Sequence, residues 1–242
     1  MESKALAKLQ ALRDYLPAPL GERLEPLARL VRLRPGQIVI GQQDATHDVF
    51  IVIEGALRVE LYSRNGKEVI LADLGPGELF GEYSAIDEQP RSASVAATGA
   101  CTLACVPGAA FREAALASPE TAEWLARRLV GRIRLLTERN FELNALAVRN
   151  RLHCELLRLG LDAGIAENRA IIAPAPTHAQ LAARIGTHRE AVTRELQDLH
   201  RQGIVGQEGR ELRINDVRAL VELVRAVSGD VGVIPRARES AA

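Results

Sequence analysis

The chain is short of cysteine, of lysine and of long apolar runs, and each shortage excludes something. Only three cysteines occur, Cys101, Cys105 and Cys154, which builds no even disulfide framework. Cys101 and Cys105 stand four apart in a strand-like run, so alternation puts them on one face. They read as two buried thiols rather than a metal pair, because no third or fourth ligand is nearby. Lys4, Lys8 and Lys67 are the only lysines; arginine supplies the rest of 31 basic residues, against 31 acidic ones. The net charge is zero, so no global positive field draws the chain to nucleic acid or membrane, and a nucleic-acid site has to be local. No run approaches the ~18 apolar residues of a membrane span. Residues 1–24 are amphipathic and charge-studded rather than leader-like, so the cytoplasm is the expected compartment. No nucleophile–base set or metal cluster stands out, so no enzyme and no metal is expected.

What is present suits one large or two modest globular domains: 242 residues, 47% hydrophobic and 26% charged. Residues 4–31 read as helical, with Leu6, Leu9, Leu12, Leu16 and then Leu24, Leu27 and Leu30 at helical spacing, interrupted by Pro17 and Pro19. From Val31 to Val106 short β-rich runs alternate with turn residues, at 37–41, 49–53, 57–62, 68–74, 92–98 and 101–106. Asn65-Gly66 between two of them signals a hairpin, and strands this short and regular suggest a small barrel or roll. One long helix follows, from Pro119 to about Asn150. Along it Ala126, Leu129, Ile133, Leu136, Asn140, Leu143 and Ala147 form a heptad seam, which predicts a parallel homodimer through residues 126–147 with Asn140 as its register device. Beyond it come an amphipathic helix (Leu152, Leu156, Leu157, Leu159), a loose stretch at 160–176, two short helices, a strand-like tail at 203–214 and a helix at 216–227. Residues 228–242 lack an apolar period.

Two stretches carry chemistry. The first is Gly77-Glu78-Leu79-Phe80-Gly81-Glu82-Tyr83-Ser84-Ala85-Ile86-Asp87-Glu88-Gln89-Pro90-Arg91-Ser92-Ala93. An arginine beside open backbone N–H groups suits an anionic phosphate, and a carboxylate, which only accepts, suits ribose hydroxyls. The second runs from Thr177 to Gly203. Thr177 with Gln180 makes a capping-box pattern, Gly186 supplies a tight turn, and Thr187 is placed to cap the second helix. With Ala191, Val192, Leu196 and Leu199 inward, His188, Arg189, Glu190 and Arg194 point outward near its start. Arginine can take guanine O6 and N7 with two bonds, and glutamate can accept from cytosine N4. His178, Gln180, Thr187 and Arg201 are candidate phosphate contacts.

The first stretch resembles the phosphate-binding cassette of cyclic-nucleotide-binding domains. The resemblance implies that Glu82 holds the ribose, that Arg91 neutralises the cyclic phosphate, and that Ser92 touches phosphate or base. Gly81, Tyr83 and Ser84 would complete that wall. Arg189, Glu190 and Arg194 are similar to the recognition helix of the cyclic-AMP receptor protein and fumarate-nitrate regulator family, with His188 where the family often has a small polar residue. That resemblance implies an α+β chain covering roughly 15–225: a cyclic-nucleotide-binding β-roll with N-terminal helices (1–118), a dimerisation helix (119–147), a winged helix-turn-helix (148–228) and a flexible tail (229–242). It further implies DNA contacts from His178, Thr187, His188, Arg189, Glu190, Thr193 and Arg194, base reading by Thr137 and Asn140, and RNA polymerase as a partner. The family's iron–sulfur members use N-terminal cysteines, and none precedes Cys101 here. The intact Glu82, Arg91 and Ser92 set argues against haem, leaving His47 as a surface residue. Cyclic AMP is the first expected ligand and cyclic GMP the second. A ligand-independent regulator with a vestigial pocket, and a C-terminal module that docks protein, are the alternatives.

Overall fold

A computed structural model describes residues 12–228, which form two compact units meeting in sequence at Gly131 and Arg132. The helix expected over residues 4–11 and the tail at 229–242 lie outside the described residues. The first unit opens with helices α1 (Leu12–Tyr15) and α2 (Ala18–Leu24), separated at Pro17 as the prolines require, and a 3-10 turn at Glu25–Leu27. Eight strands follow: β1 (Arg29–Leu33), β2 (Ile38–Ile40), β3 (Val49–Glu54), β4 (Leu57–Tyr62), β5 (Glu68–Leu74), β6 (Leu79–Phe80), β7 (Ser94–Ala97) and β8 (Cys101–Val106), with α3 (Glu82–Asp87) between β6 and β7. They make two antiparallel four-stranded sheets, in the orders β1-β8-β3-β6 and β2-β7-β4-β5.

The central strands are buried on both faces, and period-two alternation splits their side chains between two cores. Val49, Ile51 and Ile53 of β3 join Ala104 and Val106 of β8 against Leu12, Leu20, Leu24 and Phe111 of the helices. Phe50 and Val52 join Cys101, Leu103 and Cys105 between the sheets. Both cysteines therefore fall inside the roll, on one face of their strand. Residues 29–31, which leucine spacing makes helical, are instead strand: β1 pairs with β8 from Arg29↔Cys105 to Leu33↔Cys101. The ladder partner lies some seventy residues away, and this tertiary pairing overrides the local pattern. The run expected at 92–98 narrows to 94–97, which leaves Ser92 exposed before the strand.

Helix α4 (Gly108–Leu116) leads to α5 (Pro119–Ala145), which at 27 residues extends ~40 Å. It stops before the expected Asn150, and α6 (Val148–Ala163) begins after a break at Leu146 and Ala147. The second unit contains α6, α7 (His178–Ile185), α8 (Arg189–Arg201), α9 (Val217–Ser228) and a sheet in the order β11-β12-β10-β9. Here β9 is Ile165–Ala166, β10 Arg169–Ile172, β11 Val205–Glu208 and β12 Glu211–Ile214. Within the stretch at 160–176, α6 runs on to Ala163 and residues 165–172 form a hairpin, because Ala170 and Ile172 bury their side chains in the core with Leu152, Leu156, Leu181, Val192 and Leu199. Leu152, Leu156, Leu181 and Leu199 are fully buried, each stabilising the fold by about 1.5–3 kcal/mol relative to exposure.

Candidate ligand and DNA sites

In the cassette, β6 delivers the chain to Gly81, whose φ of 86° starts α3. A side chain there would meet Arg91 Nη1 and Asp48 O at 2.8 Å, so glycine is needed for the turn and for the approach of the arginine. Glu82 is the first residue of α3 and only 4% exposed; Ser84 is buried, while Tyr83 is exposed. Glu88, at φ 59°, closes the helix by donating its N–H to Ser84 O at 3.2 Å. Pro90 then leads into Arg91, which is 2% exposed.

Arg91 is held from two directions. Its backbone N–H donates to Asp44 O at 3.0 Å, and its carbonyl accepts from Gln43 N–H at 2.9 Å. Its guanidinium donates from Nε to Thr46 Oγ1 (3.0 Å), from Nη1 to Gly81 O (2.8 Å) and from Nη2 to Asp48 O (2.6 Å). All three acceptors are neutral oxygens, and among the described residues no carboxylate pairs directly with this cation. Burial pulls its pKa below the ordinary arginine value, with the more distant Asp48 and Asp44 opposing. Buried charges are ordinarily paired, and a guanidinium has five donors. Three of those donors are used, so two face no acceptor among the described residues and suit an anion. Thr46 and Asp48 were not legible in the sequence, since they reach Arg91 across more than forty residues.

His47 is exposed, with Nδ1 2.9 Å from Ser84 O. On α5, Thr137 and Asn140 are both exposed; Thr137 Oγ1 donates to Ile133 O at 2.9 Å, and Asn140 Oδ1 accepts from Asn144 Nδ2 at 2.9 Å. The heptad seam stands open to solvent: Ile133 is 61% exposed, Leu136 59% and Leu143 50%.

In the second unit the capping box forms: Thr177 Oγ1 accepts from Gln180 N–H, and Gln180 Oε1 accepts from Thr177 N–H at 2.8 Å. Gly186 turns the chain at φ 66°. Thr187 does not cap α8. The N-cap is His188, and its side chain makes no capping bond. The first amides of α8 thus keep their donors for an external acceptor. Arg189, Glu190 and Arg194 are exposed, as is His188. His178 Nδ1 lies 2.8 Å from Thr193 Oγ1, which itself donates to Arg189 O at 3.0 Å. His178 is then the donor of that pair. A groove of about 960 Å³ runs from α7 past α8 to the β11–β12 hairpin, with Gln197, His200, Arg201 and Arg210 among its lining. Gln197, His200 and Arg210 share this lining because the hairpin brings them together only in three dimensions, which spacing along the chain does not show.

A nucleotide-type roll followed by a helix-turn-helix with a β-hairpin wing defines a sensor that acts on transcription, not an enzyme. Residues 30–118 match the cyclic nucleotide-binding domain and residues 150–223 the Crp-like helix-turn-helix domain. The cyclic AMP receptor protein of Thermus thermophilus is 36% identical over 197 residues, 79% of this chain and 87% of that protein. A CRP-like cAMP-activated global transcriptional regulator of Mycobacterium tuberculosis is 27% identical over 217 residues, 89% of this chain and 95% of that protein. The structure of FixK2 from Bradyrhizobium japonicum shares the fold, with a TM-score of 0.72 at 22% identity, covering 81% of this chain and 96% of that one. The chain belongs to the cyclic-AMP receptor protein and fumarate-nitrate regulator family of transcription regulators. No described helix is long and apolar enough to cross a membrane.

Proposed function

We infer that this protein is a cytoplasmic homodimer that binds a pseudo-palindromic DNA site when a cyclic nucleotide occupies its roll. The observation that carries this reading is Arg91, a buried cation whose partners are all neutral. A cyclic phosphate supplies such an anion, and charge-assisted bonds to the remaining guanidinium donors are the strong kind. Glu82 accepts from the ribose; Gly81, Tyr83, Ser84 and Ser92 form the surrounding wall. Thr137 and Asn140 are the candidates for reading the purine. Because Thr137 donates to its own helix, its hydroxyl offers lone pairs outward. Such an acceptor can meet the amino group of adenine or the N1–H and 2-amino donors of guanine, so it sets no order by itself; cyclic AMP is the first choice and cyclic GMP the second. The similarity to regulators named for cyclic AMP supports the same order.

The exposed seam of α5 supports dimerisation through a second copy, and a dimer presents two recognition helices to half-sites one helical turn apart. Arg189, Glu190 and Arg194 read bases, while His178, Thr187, His188 and Thr193 position the strand. RNA polymerase is the further partner. Titration calorimetry tests the ligand: cyclic AMP binds the wild type, and Arg91→Ala weakens it about 100-fold, the scale of ~3 kcal/mol for a lost charge-assisted pair. Absence of heat with both cyclic AMP and cyclic GMP would leave a ligand-independent regulator.

A further inference from the structure

The break between α5 and α6 is not held by local capping: Ala147 occupies the N-cap of α6 without a side-chain bond. Five buried or half-buried charges hold it instead. Glu155 of α6 is the hub. It forms an ion pair with Arg139 of α5 at 2.7 Å and accepts from Arg158 of its own helix at 2.9 Å and from Arg184 of α7 at 3.4 Å. Arg158 donates in addition to Glu142, one turn beyond Arg139 on α5. The Glu155 side chain is 1% exposed and those of Glu142, Arg158 and Arg184 are below 10%. Burial alone drives the Glu155 carboxyl upward, but Arg139, Arg158 and Arg184 outweigh it and hold it below the usual carboxylate range. Two further contacts tie the same end of α5. Arg151 Nη1 donates to Leu143 O at 3.4 Å, and Leu143 Cδ2 lies against Gly186, 3.3 Å from where a Cβ would stand in the turn before α8.

A buried ion network is a poor means of adding stability, since desolvation cancels much of the attraction. It is a good means of fixing one geometry, because each arginine fork accepts only a narrow range of carboxylate positions. We propose that Arg139, Glu142, Glu155, Arg158 and Arg184 form a clasp that makes the end of the long helix and the helix-turn-helix move as one body, with Arg139 and Glu142 as the positioning residues that couple nucleotide occupancy to DNA affinity. This rests on the nucleotide-gated reading above. Neither residue belongs to the roll or to the exposed face of α8. Cutting these two limbs leaves the contacts of Glu155 with Arg158 and Arg184 in place, so the second unit keeps its own α6–α7 contact.

The test uses the full chain and a DNA duplex selected from a random-sequence pool. Wild type, Arg139→Gln, Glu142→Gln and Arg139→Lys are compared for cyclic AMP affinity by calorimetry, and for DNA affinity with and without cyclic AMP by fluorescence anisotropy. The two glutamine variants should keep cyclic AMP affinity within about twofold and melt as cooperatively as the wild type. Their ratio of DNA affinities with and without nucleotide should drop about tenfold, within the usual span of coupling factors; Arg139→Lys, which restores a cation, should recover part of it. An unchanged ratio in both glutamine variants overturns the clasp. A wild type whose DNA affinity ignores nucleotide refutes the gating instead. Hydrogen exchange at amides 143–150 then decides: faster exchange in the glutamine variants supports the clasp, and identical exchange removes it.

Discussion

His153 sits on α6 at 4% exposure, with Nε2 2.6 Å from Glu195 Oε1 on the recognition helix and Nδ1 buried without a partner. A carboxylate only accepts, so Nε2 carries the proton of that bond. Protonation would add an unsatisfied N–H at Nδ1. Burial therefore pulls the pKa below the ordinary 6.5, against the pull of Glu195, with Arg149 adding to the decrease. The unfolded chain then binds the proton more readily than the folded one. The stability this residue contributes is fully present above pH 6.5, and it is lost as pH falls through the lower folded value. Denaturant unfolding at pH 7.5 and 5.5 should show a larger acid loss in the wild type than in His153→Gln, whose amide can still donate to Glu195; equal losses would remove the ring from the account. At this scale sequence reading was uneven. Glu82 and Arg91 were legible because the cassette is contiguous. His153 was not, because its partner lies on another helix, 42 residues away.

Elements whose information is local were read well, and elements that depend on distant pairing were not. The heptad seam of α5, the Thr177–Gln180 box and the glycine turn at 186 each rest on residues only a few positions apart. By contrast, β1 and the β9–β10 hairpin exist because β8 and β12 present ladder edges to them. The same reasoning explains the cap of α8: Thr187 has the right chemistry, but the chain enters the helix one residue later, at His188. For α5 the open apolar seam makes a prediction. Ile133→Glu with Leu136→Glu should shift the proposed dimer to monomer, raising the dissociation constant more than about 100-fold, because each side chain contributes about 1.5–3 kcal/mol when covered. Both residues are exposed in the single chain, so the thermal stability of the monomer should barely move. Sedimentation velocity reads the result, and a wild type that sediments as a monomer at micromolar concentration would discard the seam.

The molecule as a whole carries 31 basic and 31 acidic residues, so its long-range field gives little pull toward DNA. In the proposed reading, recognition comes from the local set on α8 and the adjoining groove. Affinity for the selected duplex should still fall with salt, because each phosphate contact releases counterions, with a log–log slope of roughly −0.9 per contact. Anisotropy between 50 and 200 mM salt measures it. A slope near zero would mean that the second unit docks something other than DNA.

The three thiols are free and buried. Burial, helped by the neighbouring Asp48, pushes the Cys105 thiol up to about 11, and burial with Glu142 and Glu155 nearby pushes Cys154 up to about 12; Cys101 is 4% exposed. Electrophiles and peroxides attack the thiolate, a form these two sites almost never populate at neutral pH. Two of the three thiols are therefore poor redox switches, and a signal reaching this fold has to enter by a route other than their oxidation.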